Sequence, residues 1–227
     1  MSTSKKVFVA LDNMTQAQVF ELLPKLSAKV GGIKIGLEMY LQFGKDFIMK
    51  ANEHFEGDIF LDLKLHDIPN TVAKAIHGLS GLPIRFLTIH ASGGEAMMSA
   101  AVEAAAAAIP QATVLAVTIL TSLDDQETAS VYQTKRKESF LRLLSLIEKN
   151  HKLGLVCSGA ELELIKNKDL ITMVPGIRFE HEIQSGKTQD QKSVFTPTQA
   201  IERGAHFLVM GRSLTQSSNL EESLKLI

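Results

Sequence analysis

The stretch FLDLKLHDIPN, Phe60 to Asn70, carries charge where an ordinary buried strand avoids it. Strands covered on both faces read as near-continuous apolar runs, yet this one holds Asp62 and Lys64 and is followed by Asp67. Two residues apart on an extended chain, Asp62 and Lys64 project to the same side. Lys34, in the earlier run GGIKIG, supplies a further positive charge. Grouping such charges costs desolvation, which is tolerable when opposite signs alternate and hydrogen-bond. Two readings are open at this level: charged chemistry on a substrate, or an ion-pair network that staples two neighbouring strands. A second cluster lies near the end of the chain, in MGRSLTQSSN. There Gly211 permits close backbone approach and Arg212 can fork onto an anion, and backbone N–H groups at a helix start beside an arginine make a phosphate site. Together the clusters describe a small phosphorylated substrate held at one place and acted on by charge at another.

The elements that must position these residues follow a regular rhythm. Short β-branched runs occur at residues 7–12, 31–36, 58–64, 85–90, 113–121, 154–158, 171–178 and 206–212. Amphipathic stretches such as TQAQVFELLPKLSAKV, GGEAMMSAAVEAAAAA and KESFLRLLSLIEKN lie between them. Strands alternating with helices argue for βαβ units and a parallel sheet, and eight units in this length predict a single (β/α)₈ barrel domain over residues 1–227. An open doubly wound sheet is the competing arrangement, but no GxGxxG follows the first strand. Barrels place their sites at the C-terminal ends of the strands. The predicted ends here are polar: Asp12, Lys34, Asp62 with Lys64, His90, Thr121 with Ser122, Arg178, and Gly211 with Arg212. Pro69 suits the first turn of a helix, so Asp67 falls just beyond the third strand.

Composition narrows the function classes. The net charge is −1 and the pI about 6.7, so no overall basic field points to nucleic acid or an anionic membrane. The longest weakly polar stretch, from Ala100 to Leu120, is interrupted by Glu103, Pro110 and Gln111 and reads as helix, turn and strand. The N-terminal apolar run is too short for a secretory signal, and Cys157 is the only cysteine, so a cytoplasmic protein without an internal disulfide is expected. The histidines at 54, 77, 151, 181 and 206 show no metal-ligand spacing. His90 is expected to line the site wall or to be a satisfied structural histidine, Met97 and Met98 to pack, and Cys157 to pack rather than react.

Seven motifs in order carry a resemblance: VALD (Val9 to Asp12), KIGLE (Lys34 to Glu38), FLDLKLHDIPNT (Phe60 to Thr71), TIHASGG (Thr88 to Gly94), VTILTS (Val117 to Ser122), VPGIR (Val174 to Arg178) and VMGRSLT (Val209 to Thr215). Across nearly the whole chain the sequence resembles the orotidine 5′-phosphate decarboxylase family, which acts in the last step of UMP biosynthesis. The resemblance implies an alternating array Lys34, Asp62, Lys64 and Asp67, with Asp67 and Thr71 lent to the site of a partner subunit in a homodimer. It implies that Asp12 and Lys34 meet the ribose, that Thr121 and Ser122 recognise the pyrimidine, and that Arg212 and the Gly211 amide grip the 5′-phosphate. Gln191 matches a lid glutamine that reaches the phosphate, with Gln189 or Gln184 able to take its place, and Arg178 closes the PGIR motif at the same end. The lid would lie in residues 179–196.

The chemistry implied by this resemblance accounts for the charges. Loss of CO₂ from C6 leaves electron density in the ring plane, where no π system takes it up, so stabilisation has to be electrostatic. Lys64 is then the general acid that protonates C6, Asp62 and Asp67 hold and aim it, and no metal or cofactor is required. Two rivals differ in prediction. Related barrels that act on sugar phosphates with Mg²⁺ resemble this Asp-x-Lys-x-x-Asp strand but lack the lysine equivalent to Lys34. A catalytically inactive binding barrel would have no use for Lys64 among carboxylates.

Overall fold

Eight short strands pair in parallel and in chain order in the computed structural model, which describes residues 2–150, 152–166, 168–185 and 194–227. They are β1 (Val7–Ala10), β2 (Gly32–Gly36), β3 (Asp58–Leu65), β4 (Phe86–His90), β5 (Thr113–Val117), β6 (Leu153–Val156), β7 (Thr172–Val174) and β8 (Phe207–Met210). β8 pairs back onto β1 with Val7 opposite Leu208, so the sheet closes into a barrel. The helices are α1 (Gln16–Leu26), α2 (Leu37–Glu53), α3 (Pro69–His77), α4 (Gly94–Ala108), α5 (Asp125–Tyr132), α6 (Arg136–Glu148), α7 (Glu180–Gln184), α8 (Pro197–Glu202), α9 (Arg212–Thr215) and α10 (Leu220–Leu224). The expected (β/α)₈ architecture is the one observed. Among the described residues no helix is long and apolar enough to cross a membrane.

Alternation along each strand divides the apolar residues between two cores. Phe8, Phe60 and Phe86 point inward and meet edge to face, with Phe8 ring centroids 6.2 Å from Phe60 and 5.5 Å from Phe86. With Phe207 they plug the barrel below the mouth. Val7, Val9, Ile33, Ile35, Leu61, Leu87 and Ile89 point outward and are buried beneath the helices. Met97, Met98 and the buried alanines of α4 belong to that outer layer. The same parity puts Ala10, Lys34, Phe60 and Asp62 inside, with Lys34 paired opposite Phe60 and Gly36 opposite Asp62. Carbon therefore fills the lower barrel and charge its mouth.

Local chemistry sets the boundaries. Thr15 caps α1 with a capping box to Gln18, and Pro69 opens α3 at its first turn, where a missing N–H costs nothing. Five strands, β1, β5, β6, β7 and β8, end earlier than their apolar runs. β5 stops at Val117, and the Thr118 N–H and hydroxyl still reach across to the Val156 carbonyl at 3.4 and 3.3 Å. β7 stops at Val174 because Pro175 has no N–H to donate and Gly176 adopts φ +80°, a turn conformation that suits glycine. β8 stops at Met210, and Arg212 starts α9 instead of extending the strand.

Candidate active site

The upper barrel opens into a cavity of about 330 Å³. Its floor is apolar, from Ala10, Phe60, Val156, Met173 and Val209. Asp12, Asn13, Lys34, Asp62 and Lys64 line it from the ends of β1, β2 and β3, and Arg178, Gly211 and Arg212 from the segments after β7 and β8. The charges from β1, β2 and β3 form a chain of alternating sign. Lys34 Nζ lies 2.9 and 2.7 Å from the two carboxylate oxygens of Asp12 and 3.7 Å from Asp62 Oδ2. Lys64 Nζ donates to that same Oδ2 at 2.8 Å. Asp62 is thus shared by two ammonium groups while its own side chain is 11 % exposed.

A threonine that the sequence reading passed over completes the arrangement. Thr88 is fully buried on β4, beside β3, and its hydroxyl donates to Asp62 Oδ1 at 2.8 Å. The Thr88 hydroxyl oxygen also accepts the backbone N–H of Lys64 at 2.9 Å. That second bond holds an unusual backbone: Lys64 has φ +51°, and the β3–β4 register shifts between Leu61 and Leu65. A non-glycine residue in the left-handed region costs about 1–2 kcal/mol, and bulges of this kind re-aim side chains beside active sites. Thr88 therefore both fixes the carboxylate and pins the strained turn that delivers Lys64. Burial by itself pushes the Asp62 carboxyl up, but the charges of Lys64 and Lys34 and the hydrogen bonds from Lys64 and Thr88 outweigh it and hold Asp62 below its ordinary range.

Space around the pair is equally specific. A Cβ on Gly36 would lie 2.5 Å from Asp12 Oδ1 and 3.2 Å from Lys34 Nζ, so the missing side chain leaves room for the ion pair. Arg178 is 5 % exposed, donates to the Ile177 carbonyl at 2.9 Å, and receives its backbone register from Phe195. Thr121 reaches the cavity from the turn after β5, whereas Ser122 beside it is exposed. Asp67 and Thr71 stand apart: both are exposed, and Asp67 Oδ1 accepts the N–H of Ile68 at 2.7 Å. Gln191 and Gln189 lie outside the described residues, as do residues 186–193 of the segment read as a lid. Gln184, at the end of α7, donates to Glu180 at 3.4 Å. His90 packs on His66 with ring centroids 5.4 Å apart and is not among the cavity-lining residues. Its burial, then the proximity of His66 and Lys64, lower its pKa, with Asp62 acting weakly in the other direction. Cys157 is buried at the end of β6, where burial and Glu161 push its thiol well up.

Fold and cavity define a (β/α)₈-barrel enzyme whose site occupies the C-terminal mouth of the barrel. A model of the orotidine 5′-phosphate decarboxylase / HUMPS family matches residues 5–227. The chain is 39 % identical to the orotidine 5′-phosphate decarboxylase of Idiomarina loihiensis over 220 residues, covering 94 % of this chain and 92 % of that one. It is 39 % identical to the orotidine 5′-phosphate decarboxylase of Legionella pneumophila strain Philadelphia 1 over 219 residues, covering 94 % and 93 %. The crystal structure of orotidine 5′-phosphate decarboxylase from Lactobacillus acidophilus superposes with a TM-score of 0.80 at 33 % identity, covering 96 % of this chain and 95 % of that chain. The chain belongs to the orotidine 5′-phosphate decarboxylase / HUMPS family. It is a carboxy-lyase of that family.

Proposed function

We propose that this protein decarboxylates orotidine 5′-phosphate to UMP and CO₂ by electrostatic stabilisation, with Lys64 as the acid. The observation that carries the reading is the chain of pairs Asp12, Lys34, Asp62 and Lys64 lining one cavity together with Arg178 and Arg212. The 5′-phosphate lies against Arg212, the Gly211 amide and Arg178, with Gln191 as a further contact from the lid. The ribose hydroxyls meet Asp12 and Lys34, and the pyrimidine faces Thr121 and Ser122. The C6–carboxylate bond breaks, CO₂ leaves, and the electron pair remains on C6 in the plane of the ring. Lys64 Nζ gives its proton to C6 and regains one from solvent. An ammonium already held in place by Asp62 stabilises that charge without reorganising. Asp62 aims the ammonium, and its charge beside the departing carboxylate favours loss of CO₂.

The reading needs no resident metal. Beside Asp62, where a divalent cation would have to sit in a sugar-phosphate reaction, the Lys34 and Lys64 ammonium groups already occupy the positive positions. Residues 1–227 are read as one barrel domain, in a cytoplasmic homodimer with shared sites. The exposure of Asp67 and Thr71, with Ile68 between them 66 % exposed, supports a subunit contact that carries Asp67 to the partner's Lys64. The test is the ultraviolet absorbance change of orotidine 5′-phosphate mixed with the purified protein in excess EDTA, with the product identified as UMP. Conversion supports the reading. Absence of conversion by folded, dimeric protein refutes it and favours a Mg²⁺-dependent sugar-phosphate reaction.

A further inference from the structure

The turn that brings Thr121 to the cavity is held from behind by a side chain that lies outside the cavity. Leu120 to Leu123 form a tight turn with Leu123 N–H bonded to the Leu120 carbonyl at 3.1 Å, and Thr121 and Ser122 are its central residues. Arg136 Nη1 donates to the Leu123 carbonyl at 2.9 Å and to the Leu120 carbonyl at 3.3 Å, so one guanidinium spans both ends of the turn. Its Nη2 lies 3.0 Å from Glu161 Oε1, in a pair whose side chains are 19 % and 7 % exposed. Glu161 Oε2 in turn accepts the N–H of Ser158, just past β6, at 2.8 Å. The device thus links the β5 turn, the start of α6 and the end of β6.

Local preference does not explain this arginine. Arg136 is the first residue of α6, where the positive end of the helix dipole disfavours a cation. Two carbonyls and a buried carboxylate compensate for that position, and truncating one partner would strand the others. Arg136 is also not a cavity-lining residue, so it acts on substrate through the turn alone.

We infer that the Arg136–Glu161 pair is a positioning device for the base-reading turn, and that it sets affinity for the pyrimidine separately from affinity for the sugar phosphate. The inference rests on the proposed placement of the base against Thr121 and Ser122. The probes are UMP, which carries base, ribose and phosphate, and ribose 5-phosphate, which lacks the base. With calorimetric titration, Arg136→Met is expected to weaken UMP about tenfold or more, the loss typical of a hydrogen bond to a charged group, while ribose 5-phosphate changes less than about twofold. KM for orotidine 5′-phosphate rises in parallel and kcat changes less. Arg136→Lys, which keeps the charge but not the fork, gives an intermediate and equally selective loss, and it decides the matter if Arg136→Met fails to fold. Glu161→Gln, which leaves both carbonyl bonds possible, weakens UMP less than Arg136→Met does. Equal weakening of both probes, or no change in either, overturns the inference. A wild-type protein that shows no preference for UMP over ribose 5-phosphate instead overturns the proposed placement of the base.

Discussion

Thr88→Val is the sharpest probe of the site because it removes one hydroxyl and keeps the shape. The hydroxyl makes two bonds, one donated to a buried carboxylate at 2.8 Å and one accepted from the Lys64 amide at 2.9 Å. A bond to a charged group contributes about 1.5–3 kcal/mol, and a buried N–H left without an acceptor costs about 1–3 kcal/mol. The two losses share one site and relax together, so a destabilisation of about 2–4 kcal/mol is expected, within the 5–15 kcal/mol typical of a folded domain. The urea midpoint should fall with little change in slope. Activity should fall as well, because the left-handed turn at Lys64 loses the bond that holds it and Asp62 loses one of the groups that fix its plane. A fall of about 10- to 100-fold in kcat/KM, corresponding to about 1.4–2.7 kcal/mol at the transition state, should appear in the absorbance assay. Removing a bond that favours the carboxylate also moves the acid limb of the pH–rate profile upward. Thr88→Ser should restore most of both losses. Wild-type kcat/KM and an unchanged urea midpoint in Thr88→Val would refute the claim that Thr88 aims the pair.

Lys64→Ala is expected to lower kcat by about 10³-fold or more, since it removes both the acid and the stabilising charge, yet to retain UMP in calorimetry; substantial residual turnover would contradict the assignment of the acid. Mixing Lys64→Ala with Asp67→Ala protomers should recover activity through one intact site per mixed dimer, and no recovery after verified subunit exchange would exclude a shared site. Gly36→Ala places a methyl against the Asp12–Lys34 pair; Asp12 is partly exposed and can swing away, so KM should rise with the fold retained, and an unchanged KM would show that the pair tolerates displacement. Stability should also fall as the solution is acidified below about pH 6.5, the ordinary histidine value. His90 is lowered by burial, then by His66 and Lys64, and His206 by burial, then by Lys6. A group with a lowered folded pKa contributes fully above its unfolded value, and the contribution is lost as the pH falls toward the folded value. Urea midpoints at pH 8, 6 and 5 in a His90→Gln, His206→Gln double variant should show a shallower loss over that range than wild type at the same protein concentration, and identical curves would contradict the role of these histidines.

Much of this protein was legible before any coordinates. The eight apolar runs mark the strands because a sheet covered on both faces demands carbon at nearly every position, so the polar exceptions stand out as mouth residues. The two-residue spacing of Asp62 and Lys64 already set them on one side, and MGRSLT placed Arg212 at the last strand end. Strand lengths were less legible. Pro175 is compatible with an apolar run in sequence, but it has no N–H to donate to the ladder and β7 ends before it.

What only the tertiary structure decided are the relations between strands. Thr88 is one threonine among several until β4 lies beside β3, when its oxygen falls between a carboxylate 26 residues away and an amide 24 residues away. The positive φ of Lys64 and the opening at Gly36 likewise follow from register and crowding between neighbours. Arg136, Leu123 and Glu161 converge because β5, α6 and β6 meet at one end of the barrel. Periodicity along a chain reports which face each residue presents, whereas hydrogen bonds across the sheet depend on which residues that face meets, and barrel closure sets those partners.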